Sequence, residues 1–294
     1  MNRPKGIALI QVLLLSVLLS VMLMAVNRQT NQQIELATLV QDRTHAMLAL
    51  HSMEAELLFH VLTENRVTDP QAKSELSRQW NFFNRPFPLL GGEAKIEDMA
   101  GKVFMMNAQM VARLVESHSG NADLGKAIAG ELTDWQDNDQ NRSLNGAEQG
   151  DYPKDVLVRN APMQTEAELR YLKSMTPELF TFLSDKVTVY PVDYLNPMAM
   201  APQTLQAYAD RPIPAEVESL KDQGLLSAAR FAKITGIDYS EGVNLYPSRG
   251  LRMTFTQQVN SVRLSRQFTV TISPYGVAPV QIWDYQKVLH EAVN

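Results

Sequence analysis

The sequence has no cysteine among its 294 residues, which excludes disulfide bonds, thiolate metal sites and cysteine nucleophiles. It also lacks an excess of positive charge, since 27 lysines and arginines against 32 aspartates and glutamates give a net charge of −5. A mildly acidic chain does not carry the basic surface of a general nucleic-acid-binding protein, so we expect no nucleic acid among its partners. Apolar residues make up 45% and charged residues 20% of the chain, a balance typical of folded proteins. The length suggests about two domains.

The longest apolar run, residues 7–26, contains no charged residue and is interrupted only by Gln11 and two serines. A helix of this length spans about 30 Å, which is the thickness of a hydrocarbon core. Arg3 and Lys5 precede the run without any acidic residue, so the positive-inside rule places the N-terminus in the cytoplasm. The alternatives are a plain signal anchor and a cleaved secretory signal, but the apolar region of a cleaved signal is shorter and ends in a small-x-small site. We therefore predict a retained membrane helix.

The helical pattern continues beyond the apolar run. One apolar stripe, with spacings of three, four or seven residues, comprises Leu36, Val40, Met47, Leu50, Leu57 and Val61. No proline or glycine occurs between Ile7 and Asp69. The pattern predicts one helix of about 60 residues, whose first third lies in lipid and whose remainder packs one face on a globular domain. A membrane anchor followed by a coiled-coil stalk is the alternative.

The C-terminal part is typical of antiparallel strands. Residues 251–259 and 262–272 alternate apolar and polar side chains, and Asn260-Ser261 separates them as a tight turn. Residues 280–283 form a third candidate strand, and residues 95–107 predict a strand, a turn and a second strand. We expect an antiparallel sheet with one buried face.

The middle of the chain is helical in pattern. Its predicted helices, separated by Gly, Pro, Asn and Asp, are residues 108–118, 124–135, 165–174, 176–183, 202–209 and 216–234.

Residues 134–152 contain the densest group of oxygen-bearing side chains. Positions 1, 3, 5, 7, 9 and 12 of a calcium-loop pattern are occupied by Asp137, Asp139, Asn141, Ser143, Asn145 and Glu148. Calcium takes six to eight oxygen ligands, which alternate side chains of a coiled loop can supply. Asp134 and Asp151 are further candidate ligands. Arg142 stands where an EF-hand has glycine, so we do not expect a true EF-hand. A solvated acidic loop is the alternative.

The N-terminal leader resembles a known processing signal. Pro4-Lys5-Gly6 directly precedes Ile7, and such a basic leader is similar to the class III signal of type IV pilins and type II secretion pseudopilins. The resemblance implies that a prepilin peptidase cuts after Gly6 and methylates the new N-terminus at Ile7. The fifth mature residue, usually Glu in these families, is Gln11 here. The K-type minor pseudopilin commonly lacks that Glu, so Gln11 marks the position in the filament.

Further segments resemble the K-type family in the same order along the chain. Residues 98–107 are similar to its entry into an inserted domain, and residues 134–152 are similar to its calcium-binding signature. Residues 159–162, 168–170 and 195–199 give further matches, although Met198 replaces a residue that is usually polar.

The resemblance implies an α+β chain with a pilin-like fold, in which a long N-terminal helix packs on an antiparallel sheet and a large all-helical domain is inserted. The expected organisation is a prepilin leader at residues 1–6, a transmembrane segment at 7–26, the rest of the long helix and the first part of the pilin-like domain at 27–106, the inserted helical domain with the calcium loop at 107–242, and C-terminal strands at 243–294.

The resemblance also implies the function of a non-enzymatic minor pseudopilin at the tip of the type II secretion pseudopilus. Such a protein takes part in the export of folded proteins across the outer membrane. The implied partners are the I-type and J-type minor pseudopilins, the prepilin peptidase and the inner-membrane secretion platform. The implied location is the bacterial inner membrane, crossed once, with a cytoplasmic N-terminus and a periplasmic globular part.

Calcium is the implied cofactor, with candidate ligands Asp134, Asp137, Asp139, Asn141, Asn145, Glu148 and Asp151. Two alternatives stay open: a minor pilin of a type IV pilus, and a signal-anchored periplasmic hydrolase that depends on a metal. The sequence has no G-x-S-x-G motif and no HxxxH pair, so we expect no zinc site. The resemblance implies that the chain is not an enzyme.

Overall fold

The computed structural model describes residues 7–69 and 71–292, with side chains described from residue 9 to residue 285 except Pro70. Its first element is helix α1, Ile7–Thr63, which is 57 residues long and unbroken. The prediction of one long helix is confirmed. The leader, including Gly6, lies outside the described residues.

Only the second half of α1 packs on the rest of the protein. Its fully buried apolar side chains are Ala46, Leu50, Met53, Leu57 and Val61. The predicted stripe was wrong in its first half, because Leu36 and Val40 are 62% and 63% exposed. The sheet does not reach these residues, since the first buried side chain of α1 is Asp42. Met47 is 37% exposed because the core face runs through Ala46 and Leu50 instead.

A five-stranded antiparallel sheet packs against α1 in the order β1-β2-β5-β6-β7. Its strands are β1 (Phe87–Leu89), β2 (Gly92–Asp98), β5 (Gly250–Val259), β6 (Val262–Ile272) and β7 (Val280–Ala292). Trp80, Phe255 and Phe268 are the largest buried side chains between helix and sheet. At the predicted β5–β6 turn, Asn260 has a positive φ of 50° and its Nδ2 donates to Asp42 Oδ1 at 3.0 Å. This bond attaches the turn to α1.

The chain between β2 and β5 forms a helical insertion. Its helices are α3 (Ala108–Ser119), α4 (Ala122–Gln136), α5 (Pro177–Ser184), α6 (Pro202–Ala209), α7 (Glu216–Asp222) and α8 (Ala228–Thr235). Short 3₁₀ helices occur at Met99–Gly101, Gln149–Asp151, Glu166–Tyr171 and Pro197–Ala199, and α2 (Glu75–Gln79) precedes the sheet. Two apolar clusters form its interior, one around Leu114, Ile128 and Leu183 and one around Leu205 and Phe231.

Three predicted segments differ in the structure. The predicted helix 216–234 is two helices, because Gly224 adopts a φ of +67° and Ser227 starts α8 by accepting from the Arg230 N–H. The predicted helix 165–174 contains only the 3₁₀ helix Glu166–Tyr171. The second strand predicted in 95–107 is β3 (Val103–Phe104), which pairs in parallel with β4 (Val187–Thr188) and not with β2. The insertion therefore contains one short β-ladder besides its helices.

The insertion leaves and re-enters the sheet at one point. Strands β2 and β5 are hydrogen-bonded neighbours, and Asp98 at the end of β2 lies opposite Leu251 near the start of β5. The sheet is thus continuous across the place where the helical insertion departs.

Candidate functional site

The candidate site lies where α4 ends and the acidic loop folds back on it. Helix α4 starts at Asn121, whose side chain accepts hydrogen bonds from the N–H groups of Asp123 and Leu124. It packs closely on α3, because a Cβ at Gly125 would lie 2.7 Å from the Ala112 carbonyl oxygen. The last turn of α4 and the residue after it carry Asp134 and Asp137.

Three carboxylates converge at this place. Asp134, Asp137 and Glu148 each offer an oxygen, and these oxygens lie within 4.8 Å of one another. Asp134 is fully buried and Glu148 is 7% exposed. Asp134 accepts from the Ser143 N–H at 3.0 Å. Both carboxylate oxygens of Glu148 and Oδ1 of Asp137 are buried without a hydrogen-bond partner among the described residues.

Within the described part of the chain, no lysine, arginine or histidine forms an ion pair with any of these three carboxylates. Burial raises the pKa of the Glu148 carboxyl, and the negative charges of Asp134 and Asp137 raise it further. Burial also raises the pKa of Asp137, with added repulsion from Asp139 and Asp134. Buried carboxylate oxygens without donors are the ligands that a hard divalent cation requires. The cluster therefore fits a calcium ion.

Three other predicted ligands lie on the exposed side of the loop. Asp139 is exposed and its Oδ1 accepts from the Asn141 N–H at 2.7 Å, which shapes the turn. Asn141 and Asn145 are exposed, and Asn145 has a positive φ of 63°. The structure does not bring these side chains into the carboxylate cluster.

Asp151, also a predicted ligand, bonds to the loop itself. Its Oδ2 accepts from the Glu148 N–H at 3.1 Å, and its Oδ1 lies 3.3 Å from an Arg142 guanidinium nitrogen. Arg142 Nε in turn donates to the Gly146 carbonyl at 2.9 Å. Arg142 and Asp151 thus fasten the end of the loop that carries Glu148.

Two glycines, whose role was not predicted from the sequence, allow the loop to approach α4. A Cβ at Gly146 would overlap the Asp134 carboxylate, and a Cβ at Gly130 would lie 2.8 Å from the Gly146 nitrogen. The glycine in the Gly146-Ala147-Glu148 segment was the available signal, because glycine marks a close backbone approach.

Helix α1 supplies the second functional feature. It contains an 18-residue window of mean hydropathy 2.7 whose side chains are not buried in the protein, so it is long and apolar enough to cross a membrane. Gln11 is an exposed polar residue in this segment. A signal sequence would satisfy the same criteria of length and composition.

Comparison with protein families finds a similarity over about a third of the chain. Residues 93–192, from β2 into the insertion, match the family model for type II secretion system protein K. This part of the chain is thus similar to protein K of the type II secretion system. The type II secretion system protein K of Klebsiella pneumoniae is 28% identical over 226 residues, which are 70% of this chain and 65% of that relative. The alignment thus spans slightly less than two thirds of the relative.

Comparison with solved structures bears on the fold. One chain in the crystal structure of the GspK–GspI–GspJ complex from the enterotoxigenic Escherichia coli type 2 secretion system superposes with a TM-score of 0.51. The match covers 88% of this chain and 98% of that chain at 17% sequence identity. The predicted pilin-like fold with a helical insertion is confirmed.

Proposed function

We propose that this protein is a non-enzymatic minor pseudopilin at the tip of the type II secretion pseudopilus, where it takes part in the export of folded proteins across the outer membrane. The observation that carries the proposal is the continuity of α1. Its apolar first part is long enough to cross a membrane, and its last turns form the core of a folded domain without any break. A cleavable signal would not need to continue into the core of the mature domain.

The tip position rests on two features. The insertion adds a bulky helical body beside the sheet, between β2 and β5, which would obstruct another subunit stacked above it. Gln11 stands where shaft-forming pseudopilins usually have a Glu that neutralises the terminal amine of a neighbouring subunit. An unpaired ammonium in lipid is costly, so a subunit without this carboxylate suits the end of a filament better than its shaft.

The proposed partners follow from the same role. The I-type and J-type minor pseudopilins are supported by the relative found in a GspK–GspI–GspJ complex. The prepilin peptidase would remove the leader, and the inner-membrane platform would assemble the filament. The basic leader favours a cytoplasmic N-terminus, which puts the globular part in the periplasm.

We further propose calcium as the cofactor of the loop. Asp134, Asp137 and Glu148 would hold the ion, because their oxygens converge and three of them, Oδ1 of Asp137 and both of Glu148, are buried without a hydrogen-bond partner among the described residues. Asp139, Asn141 and Asn145, on the exposed part of the same loop, are the side chains from which additional oxygens would come. The ion would neutralise three like charges and so hold the loop against α4. Asp151 has a positioning role, because its oxygens already meet Arg142 and the Glu148 N–H.

Co-purification tests the assembly proposal. The full chain is coexpressed with the I-type and J-type minor pseudopilins, extracted in detergent, and isolated through a tag on the J-type subunit. We expect all three proteins to co-elute, while an unrelated signal-anchored periplasmic protein does not. Repeating the isolation with a chelator separates assembly from calcium binding. Co-elution with the minor pilins of a type IV pilus, and not with the I-type and J-type proteins, would contradict the proposal.

A further inference from the structure

A cleft of about 430 Å³ lies between the end of α4, the segment 155–159 and the 3₁₀ helix Glu166–Tyr171. Its aromatic wall is formed by Trp135 and Tyr171, whose rings are parallel within 1° with centroids 6.0 Å apart. Trp135 is 2% exposed, whereas Tyr171 is 55% exposed. The opposite wall is the segment 155–159, and none of the three carboxylates of the metal cluster lines the cleft.

The segment 156–159 has the hydrogen-bonding pattern of a strand. The Val158 N–H donates to Gln149 Oε1 at 2.9 Å, and Gln149 Nε2 donates to the Val156 carbonyl at 2.9 Å. The Gln149 amide therefore occupies one edge of the segment, as a neighbouring strand would. In an extended chain the next residue directs its N–H and C=O to the other edge. That residue is Leu157, which is 77% exposed and has no hydrogen-bond partner for either group among residues 7–69 and 71–292.

The charged group that lines the cleft without an ion-pair partner among the described residues is a carboxylate, that of Asp155. Glu168 is already satisfied, because Arg159 binds both of its oxygens at 2.5 and 2.9 Å and the Gln164 N–H donates to it. Asp155 is exposed and forms neither an ion pair nor a side-chain hydrogen bond within the described part of the chain. The cleft is thus lined by one unpaired carboxylate and by the half-exposed ring of Tyr171, and both groups attract a cationic side chain.

We propose that the segment 155–159 binds an extended segment of a partner polypeptide as an added strand, and that the cleft receives a lysine or arginine side chain of that segment. The Leu157 N–H and C=O would form the main-chain hydrogen bonds, which give affinity without regard to sequence. Asp155 and Tyr171 would select the basic side chain through an ion pair and a cation–π contact. This site goes beyond the proposed secretion role and does not depend on the metal cluster.

Peptide titration of the full chain in detergent, at a fixed calcium concentration, tests the proposal. The probes are fluorescein-labelled peptides of sequence Val-Thr-Xaa-Thr-Val, in which Xaa is Arg, Lys, Gln, Glu or Leu, and binding is followed by fluorescence anisotropy. We expect the Arg and Lys peptides to bind about five- to twentyfold more tightly than the Gln peptide, and the Glu peptide to bind most weakly. Equal affinities for Arg and Gln, strongest binding of the Leu peptide, or no binding of any peptide at millimolar concentration would overturn the proposal.

Point variants assign the two contributions. Asp155→Asn and Tyr171→Leu should each lower the preference for Arg over Gln about threefold, whereas Glu116→Gln and Tyr239→Leu, exposed residues that do not line the cleft, should leave it unchanged. Leu157→Pro removes the N–H and should weaken all the peptides, while Leu157→Ala keeps the N–H and should not. Retained melting temperatures establish that each variant is folded. Unchanged binding by Asp155→Asn, an isosteric change at an exposed site, would by itself refute the selection of a basic side chain.

Discussion

The side-chain amide of Asn196 donates a hydrogen bond of 2.8 Å to the carboxylate of Asp98, which is 1% exposed. The same carboxylate accepts from the Ser248 hydroxyl at 2.5 Å and from the Ala100 N–H at 3.0 Å. Asp98 therefore joins the segment that enters the insertion, the segment that leaves it, and a loop from its interior. A buried carboxylate of this kind is stable only because donors surround it.

Asp98→Ala should lower the free energy of unfolding by about 3 kcal/mol, because it leaves several buried donors without an acceptor. Denaturant unfolding followed by tryptophan fluorescence measures the change. Asp123→Ala is the matched control, since that side chain is 92% exposed, and it should cost no more than about 0.5 kcal/mol. Equal effects of the two substitutions would show that the Asp98 contacts contribute little.

Calcium should raise the melting temperature of the full chain, and a chelator should lower it. At a hundredfold excess over Kd the ion adds about 2.7 kcal/mol to the free energy of unfolding. Calcium should act better than magnesium, because a flexible loop of several oxygens suits the larger ion. The double variant Asp137→Asn/Glu148→Gln should abolish the response, whereas Asp123→Asn should retain it. If neither calcium nor chelator changes the melting temperature of the wild type, the segment is a solvated acidic loop that binds no calcium.

Gly146→Ala should remove calcium binding, because the new Cβ would displace the Asp134 carboxylate from the cluster. Gly150→Ala is a control in the same loop, since a Cβ there meets no atom within 4 Å. Isothermal titration with calcium compares the two. We expect at least a tenfold loss of affinity in Gly146→Ala, which corresponds to about 1.4 kcal/mol, and no loss in Gly150→Ala. Similar affinities would mean that Asp134 is not a ligand.

The metal cluster should also make stability depend on pH when the ion is absent. Burial raises the pKa of Glu148 from 4.5 and that of Asp137 from 3.8, so the folded state binds protons more tightly than the unfolded chain. The free energy of unfolding in chelator should therefore fall as the pH rises through these ordinary values up to the raised pKa values. Unfolding at several pH values from about 4 to 7 should show this slope in the wild type and less of it in Asp137→Asn/Glu148→Gln. In saturating calcium the slope should reverse, because protons then compete with the ion.

Coexpression with a prepilin peptidase should shorten the chain by the six residues that end at Gly6. Intact-mass measurement of the membrane protein identifies the new N-terminus as methylated Ile7. Gly6→Leu should block the cleavage, while Asn2→Ala, in the same leader, should not. A mature N-terminus near Asn27 would instead indicate an ordinary secretory signal and contradict the pseudopilin role.

Periodic features of the sequence predicted the main elements of the fold. The absence of Pro and Gly predicted the length of α1, and the alternation of apolar and polar residues predicted β5 and β6 within one residue of their bounds. Elements that depend on distant partners were not predictable: β1 has three residues, and β3 pairs with β4 across more than eighty intervening residues. Which turns of α1 are buried likewise depends on where the sheet ends, and the sequence pattern of the helix does not predict this.

The sequence predicted which segment carries the candidate site, but not which of its side chains converge. The spacing in the sequence predicted four calcium ligands without distinguishing among them: Asp137, Asp139, Asn141 and Glu148. The structure separates them, because Asp137 and Glu148 are held against α4 whereas Asp139 is used in a local turn. The close approach of Gly146 to Asp134 decides this separation, and it depends on two segments that meet only in the folded chain.

Because β2 and β5 are neighbours in the sheet, the segment inserted between them can vary in length and content. Because Asp98 and Leu251 face each other across a single strand spacing, the sheet imposes only a short end-to-end distance on everything between them. The loop-closure entropy of such a segment grows only slowly with its length. Helices could therefore be gained, lost or exchanged there without disturbing strand register, and a foreign domain whose termini lie close together could be grafted at the same place.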